Sequence, residues 1–411
     1  MSIQPLIYLN HKKSLDLLIS EKPVGKSNNK KSLIILYFLG GILAIASILP
    51  SYIQSVFLGT ILSLSWVSIF FAATNLITIV AILFFPLLIK RLGNILTTEF
   101  VLIVFILSLL GMSFFTNPVS IFFAFLLLTI SSNLIWINMD ILVENFSENA
   151  TTGLTRTIYF TAISLGWIVA PTLSSYIVDN GGYYWVFIAA AIFLVPFLII
   201  LIKNRTIIRG SENYQIKTIK QSFYALWNNR NLRGIFFIAL LLNVFLSSAV
   251  VYIPIYLHQN LGFDWTTLGV MFSVMLLPFI LFEIPAGWLA DKYWGEKEML
   301  TAGISIMIVS LLLFFILKEP NAWLWGALLF FSRIGASLVQ AMRESYFFKI
   351  VDAEDVSYIN FFRTTIPLGF LVGTVLASII IIFYPIEYLF LFVAILMTTA
   401  YAFIYTLKDT K

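Results

Sequence analysis

The chain has 411 residues, 60% of them hydrophobic and only 11% charged, with no cysteine, two histidines and a formal net charge of +5. Soluble domains carry about 25% charged residues, so a water-solvated globule is excluded and the bilayer becomes the main solvent. Without cysteine there is no disulfide framework, thiolate chemistry or cysteine metal site, and His11 and His258 stand too far apart to seed any other metal site, so no metal and no cofactor are expected.

In chain order, residues 1–31 carry six lysines and no unbroken apolar core of signal-peptide length, and they read as a cytoplasmic tail. Twelve apolar runs follow, near 33–53, 63–89, 98–116, 119–143, 155–178, 184–203, 234–257, 266–289, 299–317, 322–347, 359–383 and 387–407. Each is close to the roughly 20 residues that cross a hydrocarbon core of about 30 Å. The fold class is therefore all-α and integral to the membrane, with twelve transmembrane helices. Residues 32–203 form a first six-helix bundle and 234–407 a second, joined by a linker at 204–233 and closed by a short tail at 408–411. In the linker, Phe223, Leu226 and Trp227, followed by Arg230 and Arg233, read as a helix lying on the inner membrane surface that lets the bundles rock.

The two bundles repeat one another at an offset of about 203 residues. Pro50-x-Tyr52-Ile53 and Leu58-Gly59 recur as Pro254-x-Tyr256-Leu257 and Leu261-Gly262, and Gly166-x-x-x-Ala170 recurs as Gly369-x-x-x-Gly373. Such pseudo-symmetric halves are what alternating access requires. Lysine and arginine gather on one set of loops, including Lys90, Arg91, Lys292, Lys297 and residues 203–233, while the other set holds essentially Lys318. The positive-inside rule places the first set, and both termini, in the cytoplasm. Basic residues spread along one face, without base-stacking aromatics, argue against nucleic-acid binding. No Gly-x-x-x-x-Gly-Lys loop points to ATP.

Gly287-Trp288-Leu289-Ala290-Asp291-Lys292-Tyr293-Trp294-Gly295-Glu296-Lys297 resembles the Gly-x-Leu-x-Asp-Arg-x-Gly-x-Arg signature of the major facilitator superfamily. Gly287 admits a neighbouring helix closely, Asp291 can face a helix N-terminus, and Lys292 and Lys297 can pair with nearby acids. The resemblance implies a cytoplasmic latch in which Asp291 faces the start of the fifth helix near Arg156. In the first half Phe85 and Ile89 stand where the glycine and aspartate belong, so the latch is expected to be asymmetric. A second resemblance, to the helix-five pattern of the superfamily's proton-driven exporters, rests on Thr157, Gly166, Ala170, Pro171, Ser174 and Ser175. These small residues suit tight packing and Pro171 can kink the helix. Gly369 and Gly373 repeat the spacing without the proline, so the pattern also fits ordinary helix packing.

The resemblance implies a path lined by the first, fourth, seventh and tenth helices. Spacing marks two of these independently, since Arg333, Ser337, Gln340 and Glu344 share one helical face, as do Thr129, Asn133, Trp136 and Asp140 in the other half. With Tyr52, these residues are the expected substrate cavity. Arg333, mid-span, either binds an anionic group of the substrate, pairs with a carboxylate, or bonds to neighbours as structural glue. Glu283 is a candidate proton carrier or a buried hydrogen-bond lock. Asp140 and Glu344 are further coupling candidates, although pairing with loop cations is the simpler reading, and for Glu344 the partners at hand are Arg343 and the Lys297 loop.

The expected function is secondary transport of a small molecule by a non-enzyme, multi-pass protein of the plasma membrane, acting as a monomer. Proton-coupled antiport and efflux of amphipathic compounds stands first. A symporter or facilitator importing a sugar or organic anion stands second, and a transporter-like receptor or scaffold third.

Overall fold

The computed structural model describes residues 26–146, 152–209, 219–351 and 356–408. All regular structure among them is helical, and twelve helices are long and apolar enough to cross a membrane. Spans one to six are Lys30–Gly59, Leu64–Leu92, Asn94–Phe114, Pro118–Val143, Ile158–Gly181 and Tyr183–Lys203. Spans seven to twelve are Arg230–Asn260, Trp265–Ala290, Glu296–Ile316, Ala322–Phe347, Phe361–Phe383 and Tyr388–Thr406. An even number of crossings puts residues 26 and 408 on one face, called here the terminal face.

The sequence repeat is a packing repeat. Span one packs on five and six, three on four and six, and two on four; seven packs on eleven and twelve, nine on ten and twelve, and eight on ten. Each contact in the first bundle thus has its counterpart six helices later. The two bundles meet along two seams, span two on eleven and span five on eight, which are also related by the repeat.

Small residues set how closely these helices approach. A Cβ on Gly166 would stand 2.9 Å from the Gly41 carbonyl oxygen of span one, and a Cβ on Gly369 would stand 2.8 Å from the Asn243 backbone of span seven. These are equivalent positions on equivalent helices. In hydrocarbon, where lipid tails are as apolar as leucine, such backbone proximity supplies the packing that holds helices together. Further along span five, Ser175 lies against Gly269 of span eight. There Thr172 Oγ1 meets Ser273 Oγ at 2.7 Å and donates to the Gly269 carbonyl at 3.3 Å, one residue after Pro171. Ser174 and Ala170 are buried. The helix-five pattern therefore has a packing explanation along most of its length.

Proline disturbs the α-helical geometry of both leading helices at matched places. In span one the helix ends at Ser51 after Pro50 and resumes at Gln54, leaving Tyr52 at the break. In span seven, π-helical turns over Ser248–Tyr252 and Tyr256–Asn260 flank Pro254. Span seven also runs three residues beyond its expected end at 257, because the second π turn carries the helix through to Asn260.

The halves are tied together at the face opposite the termini. Thr266 donates to Asp179, the Trp265 indole donates to the Tyr183 hydroxyl at 3.2 Å, and Tyr252 donates to Ser68 at 2.7 Å. Trp265 is positioned by Asp264, which accepts the Thr267 amide at 3.0 Å and its hydroxyl at 2.6 Å. Those two donors hold the Asp264 carboxyl below the usual range. Tyr52 also stacks on Phe272 across the halves, with ring centroids 5.0 Å apart.

On the terminal face, each bundle fixes a buried glutamate near the start of its third helix. Arg205 grips Glu99 with two bonds of 2.6 and 2.7 Å, and Lys349 pairs with Glu296. Gly295, just before Glu296, has φ of 148°, a backbone setting that glycine accepts most readily.

Candidate functional site

A cavity of ≈ 400 Å³ lies between the bundles, within the size range of small-molecule sites. Spans one, four, seven and ten line it as expected, and spans five, eight and eleven contribute as well. That wider lining follows from the two seams, which bring Phe160, Trp167, Phe279 and Phe370 to the same space. Trp136 meets Trp167 edge-on, with ring centroids 6.5 Å apart. The walls are thus mainly apolar and aromatic.

Arg333 is the main polar feature of these walls. It is 1% exposed, near the middle of span ten, with the Phe245 ring 5.6 Å from its Cζ. Tyr52, freed from helical geometry by the break after Pro50, turns its hydroxyl towards the guanidinium. Neither terminal nitrogen of Arg333 has a hydrogen-bond partner among the described residues. A cation at the centre of a membrane helix costs at least about 2.5–3.5 kcal/mol on insertion scales, and no carboxylate among the described residues pairs with Arg333. Its neighbours on the cavity wall are the Tyr52 hydroxyl and the Phe245 ring.

Two turns along span ten, on the same face, Gln340 lines the cavity and donates to Glu283 Oε1 of span eight at 3.3 Å. Glu283 itself stands behind Gln340, with Glu344 and Arg343 as its charged neighbours. Closer to the terminal face is a charged cluster. Arg363, from the start of span eleven, donates to Glu344 at 2.7 and 3.3 Å and stands 3.8 Å from Asp140 of span four. Arg343 lies 3.5 Å from Glu344 and 5.9 Å from the Phe362 ring centroid. Arg363 is therefore a bridge between the bundles.

Other expected residues fall elsewhere. Thr129 and Asn133 line a smaller chamber of ≈ 190 Å³ opening from the first, and Asn133 belongs to both. Ser337 is fully buried and bonds back to the Ile334 carbonyl, outside the cavity lining. Glu344 is met by Arg343 and Arg363; the Lys297 loop supplies it no partner among the described residues. Lys292, expected to pair with an acid, instead lies over the Trp288 and Tyr293 rings of its own turn, 5.1 and 5.3 Å from their centroids. At Gly287, no atom of the described residues comes within 4 Å of an added Cβ, so the close approach expected there is not made by them. The Asp291 and Arg156 side chains, and with them the latch, lie outside the described residues.

Arg363 and Asn75 are site residues that sequence reading passed over, whereas Arg343 is the partner it named for Glu344. The first carried a signal, because it sits inside a predicted apolar run, as Arg333 does.

The family model for the Major Facilitator Superfamily matches residues 32–277 and 260–411. In fold, the chain is similar to the crystal structure of a bacterial homologue of the human lysosomal transporter Spinster, in an inward-facing and unoccupied conformation. The TM-score is 0.68 at 10% sequence identity, covering 93% of this chain and 97% of that one. No curated protein matches the sequence.

Proposed function

Because the chain belongs to the major facilitator superfamily, and so transports a small molecule through the membrane, we propose that its load is an amphipathic organic anion seated at Arg333. The observation that carries this is the buried Arg333 guanidinium, which faces a mainly apolar cavity beside the Tyr52 hydroxyl and has no carboxylate partner among the described residues. An anionic group supplies the missing charge-assisted bonds, and aromatic walls accept the rest of the molecule.

Charge balance in the site then favours co-transport with a proton. Among the described residues, Arg333, Arg343 and Arg363 line the cavity with Asp140 and Glu344, and Glu283 stands behind Gln340, so the charges of these six cancel when all are ionised. Adding the anion alone leaves one uncompensated negative charge; adding it with a proton on Glu283 restores neutrality. Anion and proton assist one another's entry, which is the logic of symport, whereas a cationic load would compete with the proton. The exporter reading rested on span five, whose small residues are engaged in packing against spans one and eight. The positive-inside assignment puts the terminal face, and the cavity's charged cluster, towards the cytoplasm of a plasma membrane.

The test is purified protein in proteoliposomes with an imposed pH gradient, challenged in turn with aromatic carboxylates, lipophilic cations and neutral sugars. Proton movement in the direction of carboxylate uptake, abolished by Arg333→Gln, is the expected result. Proton movement opposite to a lipophilic cation, unaffected by that substitution, restores the antiporter.

A further inference from the structure

The smaller chamber differs in chemistry from the main cavity. Its polar groups, Ser47, Ser51, Gln54, Asn75, Thr129, Ser132 and Asn133, all come from the first bundle, while Val250, Ile366 and Phe370 of the second close it with apolar surface, and no charged side chain among the described residues lines it. Ser51, Ser132 and Asn133 line both spaces, so the two are continuous. Ser51 is the chain neighbour of Tyr52, which faces Arg333, so the two spaces adjoin at the break in span one.

The polar groups of the chamber are neutral and only partly committed. Asn75 commits one of its two amide hydrogens to the Phe71 carbonyl at 2.7 Å, and Asn133 one of its own to the Thr129 carbonyl at 2.9 Å. Since a backbone carbonyl only accepts, those bonds fix both amides with the nitrogen turned to the helix, and each Oδ1 is left to accept. Thr129 likewise donates its hydroxyl to the Phe125 carbonyl at 2.8 Å. The Ser47 hydroxyl is buried with no partner among the described residues. Two amide oxygens, the remaining amide hydrogens and a free hydroxyl, with no charge among them, recognise a neutral group that both donates and accepts, such as a hydroxyl or an amide.

We propose that this chamber is a second subsite, which takes a hydroxylated or amide-bearing part of the same anion that Arg333 holds. The substrate class is then a bifunctional organic acid with one anionic group and, at its other end, one or more neutral hydrogen-bonding groups such as hydroxyls or amides. The inference rests on the anion reading above and adds the identity of the molecule's other end. The first bundle reads the neutral end and the second reads the charge, so only a molecule with both features bridges the halves.

Gluconate, hexanoate and glucose separate the two ideas, because the first two share a chain length and the first and third share hydroxyls. Binding to the full-length protein is measured by calorimetry, with thermal midpoints as the control for folding. The expected order is gluconate tighter than hexanoate by about tenfold or more, as one or two added hydrogen bonds give, and glucose weaker than both. Asn75→Leu and, separately, Gln54→Leu narrow the gluconate-to-hexanoate ratio, while Arg333→Gln weakens both acids. Equal affinity for the two acids in the unmodified protein overturns the subsite and leaves a water-filled side chamber. Glucose binding as tightly as gluconate, or neither acid responding to Arg333→Gln, overturns the anion reading and the subsite with it.

Discussion

Replacing Glu283 with Gln tests the coupling between proton and anion most directly. Arg333 and Gln340 are seven residues apart on one helix, a separation of about 10.5 Å at about 1.5 Å per residue, and Gln340 holds Glu283 at 3.3 Å. An anion at Arg333 and a charge on Glu283 therefore lie about 10 Å apart, where an effective dielectric of about 20 gives a repulsion of about 1.7 kcal/mol, or roughly 15- to 20-fold in affinity. The sign follows from which form repels. The ionised carboxylate weakens anion binding and the protonated one does not, so affinity tightens by up to that factor as pH falls through the titration of Glu283. Glu283→Gln is permanently neutral, so it should bind at the tight limit with the pH dependence removed. The assay is calorimetric titration of an aromatic carboxylate across pH 5–9 in detergent, for the parent and the variant. A Glu283→Gln protein that keeps the full pH slope, or a parent whose affinity loosens on acidification, refutes the reasoning.

Three further outcomes are expected. Arg363→Gln leaves Asp140 and Glu344 without their shared cation and should destabilise the fold by about 3–5 kcal/mol; the double variant Arg363→Gln/Glu344→Gln should recover part of that in a thermal or denaturant series, and strict additivity would show that the bridge is not coupled. Asp179→Ala removes the acceptor of Thr266, so spin-label distances between the 182 and 262 loops should lengthen on average; unchanged distances would mean that this contact does not hold the face closed. Gly369→Ala drives a Cβ into the Asn243 backbone, which has no rotamer to yield, and should cost about 1–3 kcal/mol, whereas Gly41→Ala, whose Cβ would stand 3.5 Å from the Ala162 carbonyl, should be close to neutral.

The twelve spans and the repeat were legible because hydropathy and recurring landmarks are properties of single helices. Arg333 was legible for a related reason, as a cation where the bilayer tolerates none without cause. The Arg363 bridge was not, since its partners come from spans four and ten, and a cation near a helix end is what the positive-inside rule already expects. Ser337 shows the limit of periodicity. The spacing places it on the face of Arg333 and Gln340, yet spacing does not say that its hydroxyl will satisfy itself on Ile334. The hydrogen-bonding capacity of the small chamber was equally hidden, because it depends on how each asparagine amide is shared with its helix.

The π turns of span seven have a mechanical meaning. Each holds a residue more than an α turn would over the same rise, so the helix carries slack on both sides of Pro254. Taking up that slack on one side would swing everything beyond it about the helix axis by roughly 100°, the angle of one residue, without unwinding the segment. Tyr252, whose hydroxyl clasps Ser68, sits at the end of the first such turn. One helix could thus release its grip on the opposite bundle by turning, like a key, while its two ends stay anchored in the membrane.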